Sequence, residues 1–422
     1  MKLTGKVRAG TLILTIVISL ILSILCASII LIGYYNRVNE QNFNARQTLI
    51  SNEESAINLV LADTSFSVFK DDQISLFPEG KDSVNIKTGS WGIFRYATVK
   101  TTLQHFSRYT GFLYGAALPE YMNACLYMAD HQRPLALIGN TNLKGNAYLS
   151  KAGLKAAYID QRGYSNTQLI EGDIKNSQEN LPALDSSILN YLEELTREAA
   201  DTNLHKTNFN LLNGGVYSQS FSDEILVFSQ HGKLSLAGIS LTGHIMIFSD
   251  QEIEITESAS LENTILVAPV VRFKTGYKGN VQAFATDSLI LEAGVALNYP
   301  SAVVLLKNKG YTTQNILKIA ENCIVNGILI AQTEKGDISK SYIEIAAHAG
   351  VNGVVYTMGY LSLKGWVHGV VLTDFFIYKS PSTIYENYLV DVTINRYKLS
   401  GYFAGPSIFS HSGRQKVITW VK

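Results

Sequence analysis

Three cysteines in 422 residues are too few for a disulfide framework. Cys26 lies in a long apolar run. Cys125 and Cys323 are far apart and read as two buried thiols rather than a bridge, because cysteine is among the most buried residue types. Charge of one sign is also missing: 35 basic residues balance 35 acidic ones, and charged residues make up only 17% of the chain. That excludes a basic surface for nucleic acid and an acidic tail. There is no P-loop, no dinucleotide-binding glycine fingerprint, no HExxH and no paired CxxC. The stretches "GYSN" and "SHSG" are not nucleophile elbows. The eight histidines are scattered without ligand spacing. The expectation is a non-enzymatic chain with no catalytic residue, no cofactor and no metal.

What is present begins with "RAGTLILTIVISLILSILCASIILIGYYNR", Arg8 to Arg37. Thr11 to Gly33 are 23 residues without charge or proline, enough to span a bilayer core of about 30 Å as a helix. The run is longer than a secretory h-region, and cleavage at "CAS" would leave an apolar end. Lys2, Lys6 and Arg8 precede it without an acid, and Tyr34 and Tyr35 follow it. The positive-inside rule then predicts a retained single-pass anchor with residues 1–10 in the cytoplasm. Past the bilayer, Phe43, Ile50 and Ile57 recur every seven residues, and neither Gly nor Pro interrupts 34–63. This is an amphipathic helix whose stripe needs a partner, either its own head or another copy.

"KVRAGTLILTIVISLILSILCASIILIGYYNRV" resembles the N-terminus of type IV pilin-like proteins, especially minor pilins. The resemblance covers about the first 60 residues. It implies leader cleavage between Gly10 and Thr11, and partners among envelope or pilus-like subunits. One position departs from the pattern: where such proteins commonly carry Glu, at the fifth residue after the leader, this chain has Thr15.

The remainder reads as mainly β. Residues 64–222 form an α+β region: a polar connector to 83, three antiparallel strands over 84–115, and glycine-punctuated short strands over 133–177. A helix over 185–200 is capped by Asp185 or Ser186 and buries Ile188, Leu189, Leu192, Leu195 and Ala199. Over 223–380, short β-branched runs alternate with Gly, Asn, Ser or Asp corners, and "IEITESASLENTILVAP" is echoed by "LILEAGVALNYPSAVVL". That rhythm predicts a right-handed parallel β-helix, with an antiparallel β-sandwich as the alternative. Residues 381–422 carry two more strands that could cap the solenoid.

Asp250, Glu252, Glu254 and Glu257, with Asp287 and Glu292 beyond, read as the outward face of strands rather than a carboxylate site. His348 and His368 fall in consecutive predicted rungs, as satisfied corner residues. Three functions fit: a membrane-anchored structural component of a bacterial envelope filament or secretion or transformation assembly; a polymerising scaffold, since "GVNGVVY" and "LKGWVHGVVL" are similar to the glycine-rich rungs of bactofilins; or a glycan-binding or glycan-cleaving surface protein with Trp366 and Tyr299 as stacking platforms. The first predicts the bacterial inner membrane, with the head periplasmic or otherwise extracytoplasmic.

Overall fold

The computed structural model describes residues 9–62, 72–74, 82–200, 207–208, 214–307, 314–333, 339–409 and 415–421. Leader residues 1–8 and most of the 64–83 connector lie outside these. The fold is mainly β, with a long apolar helix at the N-terminus and an extensive parallel-strand sheet. The described residues divide into two compact units. One holds residues 9–58, 72–74, 82–86 and 99–109; the other holds the rest.

The first unit is built on α1 (Ala9–Ala62), one unbroken helix of 54 residues. Residues 10–37 are all exposed. Burial begins only at Leu49 and continues through Asn52, Glu53 and Ala56, a three-and-four spacing that defines one helical face. Two polar members of that face find partners within the unit. Asn52 Nδ2 donates to the Asp82 carboxylate, and Arg108 Nε donates to Glu53.

Strands β1 (Asp72–Ile74), β2 (Asp82–Trp91), β3 (Phe94–Leu103) and β4 (Phe106–Ala116) follow in order in one sheet, joined by the C-terminal strand Gln415–Val421. Two-residue links at Gly92–Ile93 and Gln104–His105 allow only antiparallel neighbours. Gly92 and Gln104 take the positive φ values, 59° and 55°, that such tight turns require. The three strands expected over 84–115 are these. The C-terminal strand lies antiparallel to β4, with Trp420 beside Phe112. It therefore closes a sheet rather than the end of a solenoid.

In the second unit the strands stack in parallel along three walls. On wall A the inward residues Leu297, Val325, Val351, Val367, Ile394 and Leu143 lie side by side on successive levels. Wall B runs Ile247, Leu266, Ala283, Val303, Leu329, Val355, Val371, Leu126, Ala147, Ile174. Wall C runs Ile253, Val271, Leu289, Leu317, Ile343, Leu361, Phe376. Leu389, Leu137 and Ala156 then form a further parallel column. Where levels follow one another in sequence, neighbours in a column are as close as Leu361 and Phe376 and as distant as Ala296 and Ile324. These ladders are parallel, so the antiparallel sandwich does not describe them.

The spatial order of levels is not the sequence order. Below the strand Trp366–Lys379 sits a level made from both halves of the chain. Val371–Thr373 pair with Leu126–Met128, while Trp366 and Val367 pair with Thr393 and Ile394. Residues 135–149 come next, then 154–156 and 174–176. The tail strands at 388–395, expected as caps, thus lie inside the stack. Part of the 64–222 region supplies levels of it. An unpaired edge on Trp366–Lys379 would expose a row of backbone donors and acceptors, and these segments satisfy it.

Wall B is covered on its outer side as well. Phe248, Val267, Phe284, Val304, Ile330, Tyr356 and Leu372 pack with Trp91, Phe94, Leu192, Leu195, Phe221 and Phe409 in a second core. Burial on both faces explains why "TILVA", "GILIA" and "GVVYT" are continuous apolar runs, not alternating ones. The helix α2 (Ser186–Ala200) belongs to this cover. Asp185 is its cap, accepting from the backbone N–H of Ser187 at 2.9 Å and of Ile188 at 3.1 Å. Leu192 and Leu195 are buried, and Glu193, Glu194, Arg197 and Glu198 face solvent.

Candidate functional site

Three surfaces bear on function: the bare half of α1, the charged outer face of wall C, and the outer face of wall A. In the first, the span 11–33 is long and apolar enough to cross a membrane. A hydroxyl in lipid must find an acceptor within its own helix. Those of Thr15, Ser19, Ser23 and Ser28 do, each donating to a carbonyl three or four residues back. Thr15 reaches Leu12 O at 2.8 Å and Thr11 O at 3.1 Å. It is a residue turned onto its own backbone, not a charge offered outward. Gly10 is in the first turn with no atom near where a Cβ would lie, and Thr11 follows it, exposed.

The helix-packing positions read from the heptad sit beside the buried face rather than on it. Phe43 is 61% exposed, and Ile50 and Ile57 are half-buried. An apolar-only period misses the seam because two of its members, Asn52 and Glu53, are polar and matched by Asp82 and Arg108.

On wall C four acids of the expected cluster hold a base on a neighbouring level. Lys233 pairs with Glu254 at 2.9 Å, Arg272 with Glu252 at 3.0 Å, and Lys274 with Glu292 at 2.8 Å. Asp250 pairs with His231 at 3.0 Å. The hydrogen bond from Lys274 holds the Glu292 carboxyl below the usual range, and that from His231 does the same for Asp250. Glu257 and Asp287 are exposed beyond this column. The arrangement is a ladder of cross-level pairs between side chains of opposite charge type.

The cysteines in the stack are free and buried. The Cys125 thiol faces Gly145 O at 3.4 Å, and burial pushes its pKa up to about 12. Cys323 faces Glu292 O at 3.0 Å and is also raised by burial. Neither is a nucleophile in the folded state.

Wall A is built differently. At its corner with wall B stand Gly327, Gly353 and Gly369, with φ of 156°, 152° and 154°. A Cβ at these positions would lie 1.9, 1.8 and 1.8 Å from the carbonyl oxygen of the level before. The glycine beat in "VNGIL", "VNGVV" and "VHGVV" is therefore the corner itself. It reports level stacking and says nothing of polymerisation.

One residue before each corner glycine, Asn326, Asn352 and His368 share a register and point outward. Asn326 Nδ2 donates to Leu297 O at 3.1 Å, Asn352 Nδ2 to Asn326 Oδ1 at 2.8 Å, and His368 Nδ1 lies 3.1 Å from Asn352 Oδ1. His368 thus stacks on an asparagine, while His348 occupies a turn at φ 61°. Trp366 lies against His368 at 4.2 Å between ring centres.

A groove of about 590 Å³ runs over the Asn326 and Asn352 rungs of this ladder. Its floor is Tyr299, Asn326 and Asn352; its side is the loop from Lys398 to Phe403 with Val417 and Ile418. The loop is pinned by the Tyr299 hydroxyl, which donates to Ala404 O at 3.0 Å and accepts from Ala404 N at 3.2 Å. Tyr402 on its rim is 91% exposed. Of the two aromatics singled out from sequence, Tyr299 lines the groove and braces the loop with its hydroxyl, whereas Trp366 is not among the lining residues and packs on His368 instead. The groove itself was invisible in the sequence, because its loop and its floor are some 50 to 100 positions apart.

Among the described residues no group of three or more potential metal ligands comes together. No family model matches the chain, and no curated protein does. Among solved structures, a competence-associated pilin, ComZ from Thermus thermophilus, matches at 8% identity over 90% of this chain and 95% of that one, with a TM-score of 0.24. A score that low does not place two chains in one fold.

Proposed function

We propose that this chain is a membrane-anchored, non-enzymatic structural component of a bacterial envelope assembly, pilin-like in its anchor and carrying a parallel β-helix head. The observation that carries the reading is α1. A single helix leaves its apolar residues 11–33 bare and seats its second half, through Leu49, Asn52, Glu53 and Ala56, within a folded unit. Bare apolar surface of that extent is stable only in lipid or against other apolar helices. The helix can therefore hold the protein in the inner membrane, and other subunits or further copies can bundle along it. The side-chain hydroxyls within it, each satisfied by its own backbone, support insertion. Mechanism on this reading is packing and presentation: the helix fixes position, and the head displays its walls outside the membrane.

The test is fractionation and N-terminal sequencing of the full chain from its native membrane. Retention after alkaline extraction is expected, and a start at Thr11 would establish processing after Gly10. Recovery in the soluble fraction with the run 11–33 intact would refute the anchor.

A further inference from the structure

We propose that the groove on wall A is a binding site for an extended, uncharged carbohydrate chain. It is independent of the anchor reading. Three observations converge on it.

The first is charge. Outward positions of wall A from Ala296 to Asn395, among them Asn298, Asn326, Asn352, Trp366 and Thr393, carry no acid, Lys or Arg. Lys398 is the one Lys or Arg among the groove-lining residues, and no acid lines it. A polyanion needs several phosphate- or carboxylate-binding cations, so this surface suits a neutral polymer.

The second is the repeat. Asn326 and Asn352, both on the groove floor, stand on consecutive levels, and His368 continues their register beyond the lining residues. Hydrogen-bonded strands lie about 4.8 Å apart, close to the rise per residue of an extended pyranose chain. A ladder of amides at that spacing can meet successive hydroxyl or acetamido groups. The internal bonds fix the orientation of the amides, which lowers the entropy lost on binding.

The third is aromatic surface. Pyranose rings present a face of C–H groups, and exposed aromatic rings bind them by apolar contact. Tyr402 stands free at the rim, and Phe403 packs on Tyr299 at 5.3 Å, so three aromatic rings line the groove. A concave groove combining apolar rings with a few fixed polar groups is the usual form of a small-ligand site.

The experiment uses the full chain in a sugar-free detergent. Hexasaccharides of β-linked glucose, α-linked glucose, xylose and N-acetylglucosamine are titrated by calorimetry, beside a single-stranded oligonucleotide of similar length. Saturable binding of at least one hexasaccharide is expected. Tyr402→Ala should weaken it by about tenfold or more. Tyr158→Ala, at another exposed tyrosine outside the groove, should leave it unchanged. Tyr402 is a fully solvated rim residue, so its loss does not threaten folding; an unchanged thermal midpoint confirms that. No binding of any hexasaccharide up to about 5 mM would overturn the proposal. So would binding that ignores Tyr402→Ala, or oligonucleotide binding lost in Lys398→Gln with the sugars silent.

Discussion

Gly353→Ala isolates the feature that shapes wall A. The glycine sits at φ 152° between Gly327 and Gly369 in its column, and its missing Cβ would lie 1.8 Å from Gly327 O. An alanine in that backbone region costs about 1–3 kcal/mol before any contact is counted. The clash is with backbone, so relief requires separating two levels and weakening ladder hydrogen bonds worth about 1 kcal/mol each. A total of about 3–5 kcal/mol is expected, at the upper end of single substitutions. Gly238 is the control. It has φ 61°, but nothing lies within 4 Å of the Cβ position. Gly238→Ala should cost about 1 kcal/mol, the intrinsic penalty alone. The assay is urea unfolding of the full chain in detergent, followed by tryptophan fluorescence, with thermal melting as a second readout. If the two substitutions cost the same, close stacking at the corner is not what requires glycine, and the account of wall A fails.

Other predictions follow from single side chains. His244 packs on Trp91, Tyr96 and Phe221, and its Nδ1 donates to Asp223 O at 3.0 Å while Nε2 has no hydrogen-bond partner among the described residues. Burial pushes its pKa from 6.5 down to about 4. A base depressed in the folded state contributes stability above pH 6.5 and loses it as pH falls toward 4. At most about 3 kcal/mol should disappear over that window, and His244→Phe should flatten the profile. In a Cys26→Ser background, Cys125 and Cys323 should resist maleimide until the chain is denatured, then react stoichiometrically; rapid labelling of the folded variant would contradict their burial. Arg108→Ala removes the Arg108 ion pair of the Glu53 carboxylate, whose side chain is 9% exposed. It should cost about 2 kcal/mol, read as faster amide exchange over residues 49–56. Thr15→Ala removes only a back-bonded hydroxyl and should leave membrane retention unchanged.

Much of this protein is determined locally and is therefore legible in its sequence. The apolar run needs only length and absence of charge to be recognised. The α2 cap at Asp185 is set by a side chain that reaches the helix's own N–H groups, and the turn at Gly92 and the Asn-Gly and His-Gly corners by backbone dihedrals that few residues adopt. Continuous apolar runs along wall B announce burial on both faces. Only the tertiary structure decides which strands meet. Leu126 beside Val371, and Thr393 between Trp366 and Asn142, join segments from opposite ends of the chain. Parallel ladders are held by backbone groups that every residue carries, so pairing leaves no mark at either partner. The same holds for the seam of α1, where Asn52 and Glu53 break the apolar period because Asp82 and Arg108 await them, and for the groove, whose floor and side become one surface only when the levels stack.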